Sequence, residues 1–281
     1  MKISIGIYMM MISKLPKSIS SELSQMGIEL IYKPWESKLL NRNVIALVWN
    51  STYKCIHNFQ EEKIWTWTCA LQNLQLKLET FKPYLLTTRI PALNREVIRV
   101  LENSGFHLIE CYLELEHNLE QIPPMAGKNI IRPFRKNEIS QLEKIAFESF
   151  QYSRFHMDPQ IKAAEANASR SEWVKNSCKG RAEAVFVAEE DQRPVGFVIC
   201  RKKNYRRGVV GILDLIAVYT DYKKRKLGYD LTVEFLKFCR SQKYCLAKVG
   251  TQAHNIPSIR MYEKIGFLMS HAYYSYHKGV S

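Results

Sequence analysis

The stretch Thr251-Gln252-Ala253-His254-Asn255-Ile256-Pro257-Ser258-Ile259-Arg260-Met261-Tyr262-Glu263-Lys264-Ile265-Gly266-Phe267 reads as a strand end, a turn and a short helix over Pro257 to Lys264. Asn255 stands where an N-cap belongs, Pro257 falls in the first turn, and Gly266 supplies the left-handed C-cap. Tyr262 follows Asn255 by seven residues, two helical turns, so the two share a face. Taken alone, the tyrosine also reads as a half-buried packing residue.

Working outward, Leu246 to Thr251 is an apolar strand, and Leu227 to Lys243 is a helix with Leu227, Leu231, Phe235, Leu236 and Cys239 on one side. Gly208 to Val218 is a longer apolar strand. It runs through Tyr222-Lys223-Lys224-Arg225-Lys226-Leu227-Gly228-Tyr229 directly into that helix. Such a turn aims backbone N–H groups and the positive helix end at one spot, an anion cradle suited to a pyrophosphate. Lys223, Lys224, Arg225 and Lys226 add four cations, a run that by itself also fits a solvated loop or a nucleic-acid patch.

Further upstream, Ile139, Leu142, Ile145, Ala146 and Phe150 mark a helix within Lys136 to Phe150. The connection Ser153-Arg154-Phe155-His156-Met157-Asp158-Pro159 leads to a second helical stretch ending near Gly180. Ala184 to Ala188 and Val195 to Cys200 form a hairpin about Asp191-Gln192-Arg193-Pro194, and a final strand pair follows Gly266. Helix, helix, three strands, helix, strand, helix, strand is a three-layer α/β pattern.

Ala92 to Tyr112 repeats Ala253 to Tyr273 without a gap. The pairs Ala92/Ala253, Asn94/Asn255, Ile98/Ile259, Arg99/Arg260, Glu102/Glu263, Gly105/Gly266, Phe106/Phe267 and Tyr112/Tyr273 exceed chance and include the capping Asn and Gly. Any strand-helix-strand unit shares some of this pattern; the sharper reading is an N-terminal domain that degenerately copies the C-terminal architecture. The segment Gln121 to Asn129, with its Ile-Pro-Pro-Met-Ala-Gly, interrupts two apolar-patterned regions. It divides the chain into domains 1-125 and 126-281.

The 281 residues, with 46% apolar and 24% charged, fit one large domain or two modest ones; 12 Gly and 10 Pro exclude collagen-like and disordered readings. Lys and Arg number 41 against 27 Asp and Glu, and a net charge of +14 favours anionic partners. Seven cysteines, Cys55, Cys69, Cys111, Cys178, Cys200, Cys239 and Cys245, contain no C-x-x-C pair, so reduced thiols in the cytoplasm are expected, with no metal. Lys2 and the apolar Ile3 to Ile12 imitate a secretory signal but lack a small-residue cleavage site, and read as a strand. No stretch has the length of a membrane span.

At this spacing and after these strands, the cation loop and the Asn255 to Phe267 block resemble the acetyl-CoA machinery of the GNAT superfamily of N-acetyltransferases. That family's loop reads Gln/Arg-x-x-Gly-x-Gly/Ala; Lys223 stands at the basic position, Gly228 at the last Gly, and Lys226 replaces the middle Gly. Ser153-Arg154-Phe155-His156, Trp173-Val174-Lys175-Asn176-Ser177 and Pro34-Trp35-Glu36-Ser37 are similar to blocks of the dTDP-fucosamine acetyltransferases, a two-domain branch of the superfamily. The likeness covers most of residues 30 to 281 and implies a truncated, GNAT-like N-terminal domain before a catalytic one. Leu101 stands where the repeat has Tyr262, and no basic loop precedes it, so the N-terminal copy is expected to be catalytically empty.

The resemblance implies transfer of acetyl from acetyl-CoA to the amine of a nucleotide-linked amino-deoxy sugar for a surface glycan, by direct attack without an acyl-enzyme. Ile216, Ala217 and Val218 are then expected to bind the cofactor arm through their backbone. Lys223, Lys224, Arg225, Lys226, Leu227, Gly228 and Tyr229 would cradle the diphosphate, Asn255 would hold the arm, and Tyr262 would protonate the leaving sulfur. Asp214, expected on the strand face of Ile216 and Val218, is the candidate to pass a proton through water. Trp35, Glu36, Arg154, His156 and Trp173 are the sugar-side candidates, although loop anchoring and core packing fit them as well. Alternative readings are N-acetylation of a protein, peptide or small amine, and a non-enzymatic basic module on nucleic acid using Lys202 to Arg207 and Lys223 to Lys226. That module lacks stacking aromatics or zinc spacing, so no nucleic-acid partner is expected. A homodimer is compatible with the sequence.

Overall fold

A computed structural model describes residues 17–49, 61–127 and 129–280; the strand expected at Ile3 to Ile12, and Cys55, lie outside them. The chain forms two compact units. One comprises Met1–Cys111, Met157–Ile161 and Ala272–Ser281, the other Tyr112–His156 and Lys162–His271.

In the first unit Lys17–Gln25 (α1), Ile28–Tyr32 (β1), Pro34–Leu39 (α2), Asn43–Trp49 (β2), Glu61–Leu78 (α3), Tyr84–Pro91 (β3) and Arg95–Asn103 (α4) lead into His107–His117 (β4). Along α3 the buried positions Ile64, Trp67, Leu71, Leu74 and Leu78 recur every three or four residues, so one face of the helix joins the core. β2 buries Val44, Ile45, Ala46 and Leu47 in succession. β1 pairs antiparallel with β2, β2 parallel with β3, and β3 antiparallel with Tyr273 to Val280 of the last strand. Trp49, Trp67, Leu101 and Tyr276 share the core of this unit.

The second unit adds Ile130–Pro133 (β5), Ile139–Ser149 (α5), Arg154–Met157 (α6), Ala163–Asn176 (α7), Ala184–Glu190 (β6), Arg193–Tyr205 (β7), Gly208–Val218 (β8), Leu227–Ser241 (α8), Leu246–Gln252 (β9), Ile256–Ile265 (α9) and the start of Leu268–Val280 (β10), which from Ala272 on belongs to the first unit. Its sheet runs β4-β9-β8-β7-β6-β5, parallel at β8/β9 and antiparallel at the other pairs. Leu231, Phe235, Tyr262 and Phe267 cover one face, and Leu142, Ile145, Val174, Phe197 and Leu215 fill the other. The unit therefore has the three layers expected, a mixed sheet between helices.

The expected final strand pair is one strand instead: no Gly, Pro, Asn or Asp lies between Leu268 and Lys278 to turn the chain, which stays extended for 13 residues. The repeated segments occupy like positions, each a strand, a helix and a strand. Gly105 and Gly266 both stop their helices at positive φ, 74° and 106°. Leu101 and Tyr262 are both buried.

Candidate active site

β8 and β9 pair only from Val210/Leu246 to Leu213/Val249. Beyond that point β8 continues to Val218 bonded to β7, and β9 continues to Gln252 bonded to β4. The inner edges of Leu215 to Val218 and Gly250 to Gln252 thus part, leaving backbone donors and acceptors with no strand between them. A β-bulge marks the start of the parting, because Ile199 pairs with Leu215 and Cys200 with Leu213, and Asp214 has no register partner. The extra residue turns Asp214 and Leu215 to the same side. Ile216 and Val218 pack toward α8 and α9, whereas Leu215 and Ala217 join the opposite core. Asp214 therefore does not share the face of Ile216 and Val218, as strict alternation had implied.

Downstream of β8 the exposed Lys223, Lys224, Arg225 and Lys226 lead into the first turn of α8, formed by Leu227, Gly228 and Tyr229. Lys224 and Lys226 take the left-handed conformation, φ 66° and 64°. Lys226, at the position where the family loop has glycine, thus itself takes the left-handed backbone that glycine favours. Asp230, fully buried in the first turn of α8, accepts the Ala126 amide at 2.6 Å and the Asn129 Nδ2–H at 2.7 Å. Lys226 Nζ donates to the Ala126 carbonyl at 3.3 Å. The segment read as a linker thereby straps the cation loop. Arg225 is held by Glu190 at 2.6 Å. Gly228 has room: a Cβ there would meet only Met261 Sδ, at 3.4 Å.

Tyr262 is 3% exposed, and its ring meets Phe267 edge-on with centroids 5.7 Å apart. Burial pushes its pKa above the ordinary tyrosine value, and the neighbouring Tyr112 phenol adds to the shift. The Tyr112 hydroxyl lies where a side chain on Gly250 would project, at the first residue of β9 past the parting. Asn255 opens α9 through its carbonyl, which accepts from Ser258 and Ile259 at 3.1 and 3.2 Å. Its side chain does not cap; Nδ2 donates to Thr251 Oγ1 at 3.1 Å. In the repeat, Asn94 does cap, accepting the Val97 amide.

On the opposite face, Asp214 Oδ2 accepts Trp173 Nε1–H at 2.7 Å and an Arg181 N–H at 2.6 Å, and Arg201 approaches Oδ1 at 3.5 Å. Both nitrogens of His156 are engaged, Nδ1 with Ser153 Oγ just upstream at 2.5 Å and Nε2 with Asn167 Oδ1 of α7 at 2.7 Å. Asn167 Oδ1 can only accept, so Nε2 carries the proton; burial holds the imidazole below its usual pKa. The Arg154 guanidinium lies 4.7 Å from the Phe155 ring. Trp35 and Glu36 sit in α2 of the first unit, Trp35 half-buried and Glu36 buried. Among the described residues, Glu114, Glu116 and His271 stand close enough to share a metal ion, and Lys248 Nζ bridges Glu114 and Glu116 at 2.8 and 2.7 Å.

The Acetyltransferase (GNAT) family profile matches residues 139–267, which span α5 to α9 and include the bulge, the cation loop and Tyr262. The spore coat polysaccharide biosynthesis protein SpsD of Bacillus subtilis (strain 168) is 27% identical over 265 residues, 91% of this chain and 85% of that protein. Among solved structures, a GCN5-related N-acetyltransferase from Sphaerobacter thermophilus is similar with a TM-score of 0.60 and 13% identity, over 90% of this chain and 76% of that one. A tandem GNAT protein from the clavulanic acid biosynthesis pathway has a TM-score of 0.54 and 13% identity, over 84% and 75%. At such identities the structural likenesses establish the fold.

Proposed function

With residues 139–267 an acetyltransferase domain of the GNAT family, we propose that this enzyme acetylates the amine of a nucleotide-linked amino-deoxy sugar for surface glycan synthesis, in the cytoplasm, with acetyl-CoA as donor. The parting of β8 from β9 beside the cation loop carries the reading. It offers an extended ligand a strand's worth of backbone hydrogen bonds, and the start of α8 offers a phosphate N–H groups and the positive end of a dipole. The relative named for spore coat polysaccharide biosynthesis supports the glycan side. Catalysis falls to residues 126–281; residues 1–125 form a truncated GNAT-like domain without a tyrosine or basic loop in the equivalent places.

Acetyl-CoA, when bound, supplies an acetyl group activated as a thioester. The backbone of Ile216, Ala217 and Val218 holds its arm, Lys223 to Tyr229 hold its diphosphate, and Asn255 borders the arm from the start of α9. Tyr262 keeps a proton on Oη, since burial disfavours its anion, and hands it to the departing sulfur, the proton that the attacking amine loses on becoming an amide restoring the phenol. Asp214, committed to Trp173 and Arg181, braces the acceptor side.

Release of free thiol from acetyl-CoA, measured against nucleotide-linked amino sugars, polyamines and peptides, tests the assignment. Turnover is expected with an amino sugar carrying a nucleoside diphosphate. Turnover confined to peptides or polyamines would overturn it.

A further inference from the structure

The sheet face opposite the cation loop carries a cluster that the reaction as derived leaves largely unused. The guanidinium groups of Arg170 and Arg181 lie by the Trp173 ring, and those of Arg181 and Arg201 approach the Asp214 carboxylate. Arg181 and Arg170 lie 4.6 and 5.4 Å from the Trp173 ring centroid. Arg181 and Arg201 approach Asp214 at 2.6 and 3.5 Å. Gly180, with φ 112° and open space at its Cβ position, lets the chain reverse after α7 so that Arg181 returns to Trp173.

Arg181 is only partly satisfied. Its Nε–H is buried and makes no hydrogen bond, while 31% of its side chain and 40% of that of Arg201 remain open to solvent. Burial lowers its pKa, Asp214 opposing the shift and Arg201 adding to it. Arg181 and Arg201 share the one carboxylate of Asp214, which leaves that pair positive, and a guanidinium with an open edge matches a phosphoryl group.

The position suits an acceptor. Asp214 sits in the bulge where β8 leaves β9, two residues before Ile216, about 7 Å at the rise of an extended strand. That is comparable to the span of a hexose from its anomeric phosphate to a ring amine. Asp214 lies on the sheet face opposite α8, whereas the cation loop opens α8, so the two phosphate sites are separate. Resting on the acceptor class given above, we propose that Arg181, assisted by Arg201, binds the phosphoryl group of the nucleotide-linked acceptor, and that Asp214 is a positioning residue that aims Arg181 and Trp173.

The test is calorimetric binding of dTDP to the full chain saturated with CoA, which fills the other phosphate site. Arg181→Ala should weaken dTDP binding about tenfold or more, the loss of a charge-assisted hydrogen bond. Arg181→Lys should recover part of it, keeping charge without the fork, and CoA affinity should be equal in all three proteins, which certifies their folding. Asp214→Asn should weaken dTDP as well while leaving the pH profile of kcat unchanged in shape; loss of an acidic limb would make Asp214 a proton carrier instead. An Arg181→Ala protein that binds dTDP like the parent, or a parent that binds CoA but not dTDP, overturns the proposal. Turnover of a nucleotide-linked amino sugar indifferent to Arg181 sinks this assignment alone, whereas turnover of peptides only sinks the acceptor class beneath it.

Discussion

Tyr262 is buried among apolar side chains, and its pKa is shifted upward, so the phenol is protonated at neutral pH. Tyr262→Phe keeps the ring against Phe267 and deletes only the proton. We expect kcat to fall by about a hundred- to ten-thousandfold, with CoA affinity and melting temperature unchanged; stopped-flow thiol release and thermal unfolding read the two. An undiminished kcat would move the proton donor elsewhere. Tyr262 was legible in the sequence because it belongs to a contiguous block. Tyr112 and Arg181 were not, since each meets its partner across tens of residues. Asp214 was placed on the wrong face because alternation counts every residue, and an inserted bulge residue shifts the count without any mark in composition.

The loop before α8 holds two lysines in the left-handed region, at a cost of roughly 1 kcal/mol or more each, offset locally by the Asp230 hydrogen bonds to Ala126 and Asn129. Its backbone shape therefore does not depend on glycine at position 226. Gly228 is likewise free of steric need from the fold, so an effect of enlarging it reports on the ligand. Gly228→Val should lower CoA affinity without lowering the melting temperature, and calorimetry showing equal affinity would clear the loop of the role. From α5 to α9 most elements were readable because their apolar periods are long and their ends are punctuated by Gly and Pro; α6, a single turn at Arg154–Met157, reads in the sequence as a connection because one turn has no period, and β7 runs on past the expected Cys200 to Tyr205. The short β5, four residues long, carries no such period.

Leu101, fully buried in the first unit's core, occupies the position matching Tyr262 and has only packing to offer there. Leu101→Ala should destabilise that unit by about 2 to 5 kcal/mol, seen as an earlier denaturation transition, with kcat per folded molecule preserved. The same unit contains the buried pair His277 Nδ1 and Asp158 Oδ2, 2.7 Å apart. Burial alone would raise the Asp158 carboxyl, but hydrogen bonds from His277 and the Gln160 amide hold it below the usual range. A depressed folded pKa contributes stability that is present above the unfolded value, about 3.9, and is lost as pH falls through the folded one. Unfolding followed against pH should show the parent losing stability over that acid window and Asp158→Asn, already weaker at neutral pH, losing less. The interleaving of segments that brings Asp158 and His277 together has no local sequence signal, and a boundary near 125 was the most that composition offered.

That interleaving also sets the order in which the molecule can be made. β3 finds its antiparallel neighbour only in Tyr273 to Val280, and at about 5 to 20 residues per second a ribosome needs roughly ten to forty seconds after finishing β3 to deliver it. During that interval β3, already hydrogen-bonded to β2 on one side, presents a bare apolar edge to the cell. The earliest part of the chain to appear is thus among the last to be sealed, and during synthesis it is this edge that a nascent-chain chaperone would have to shield.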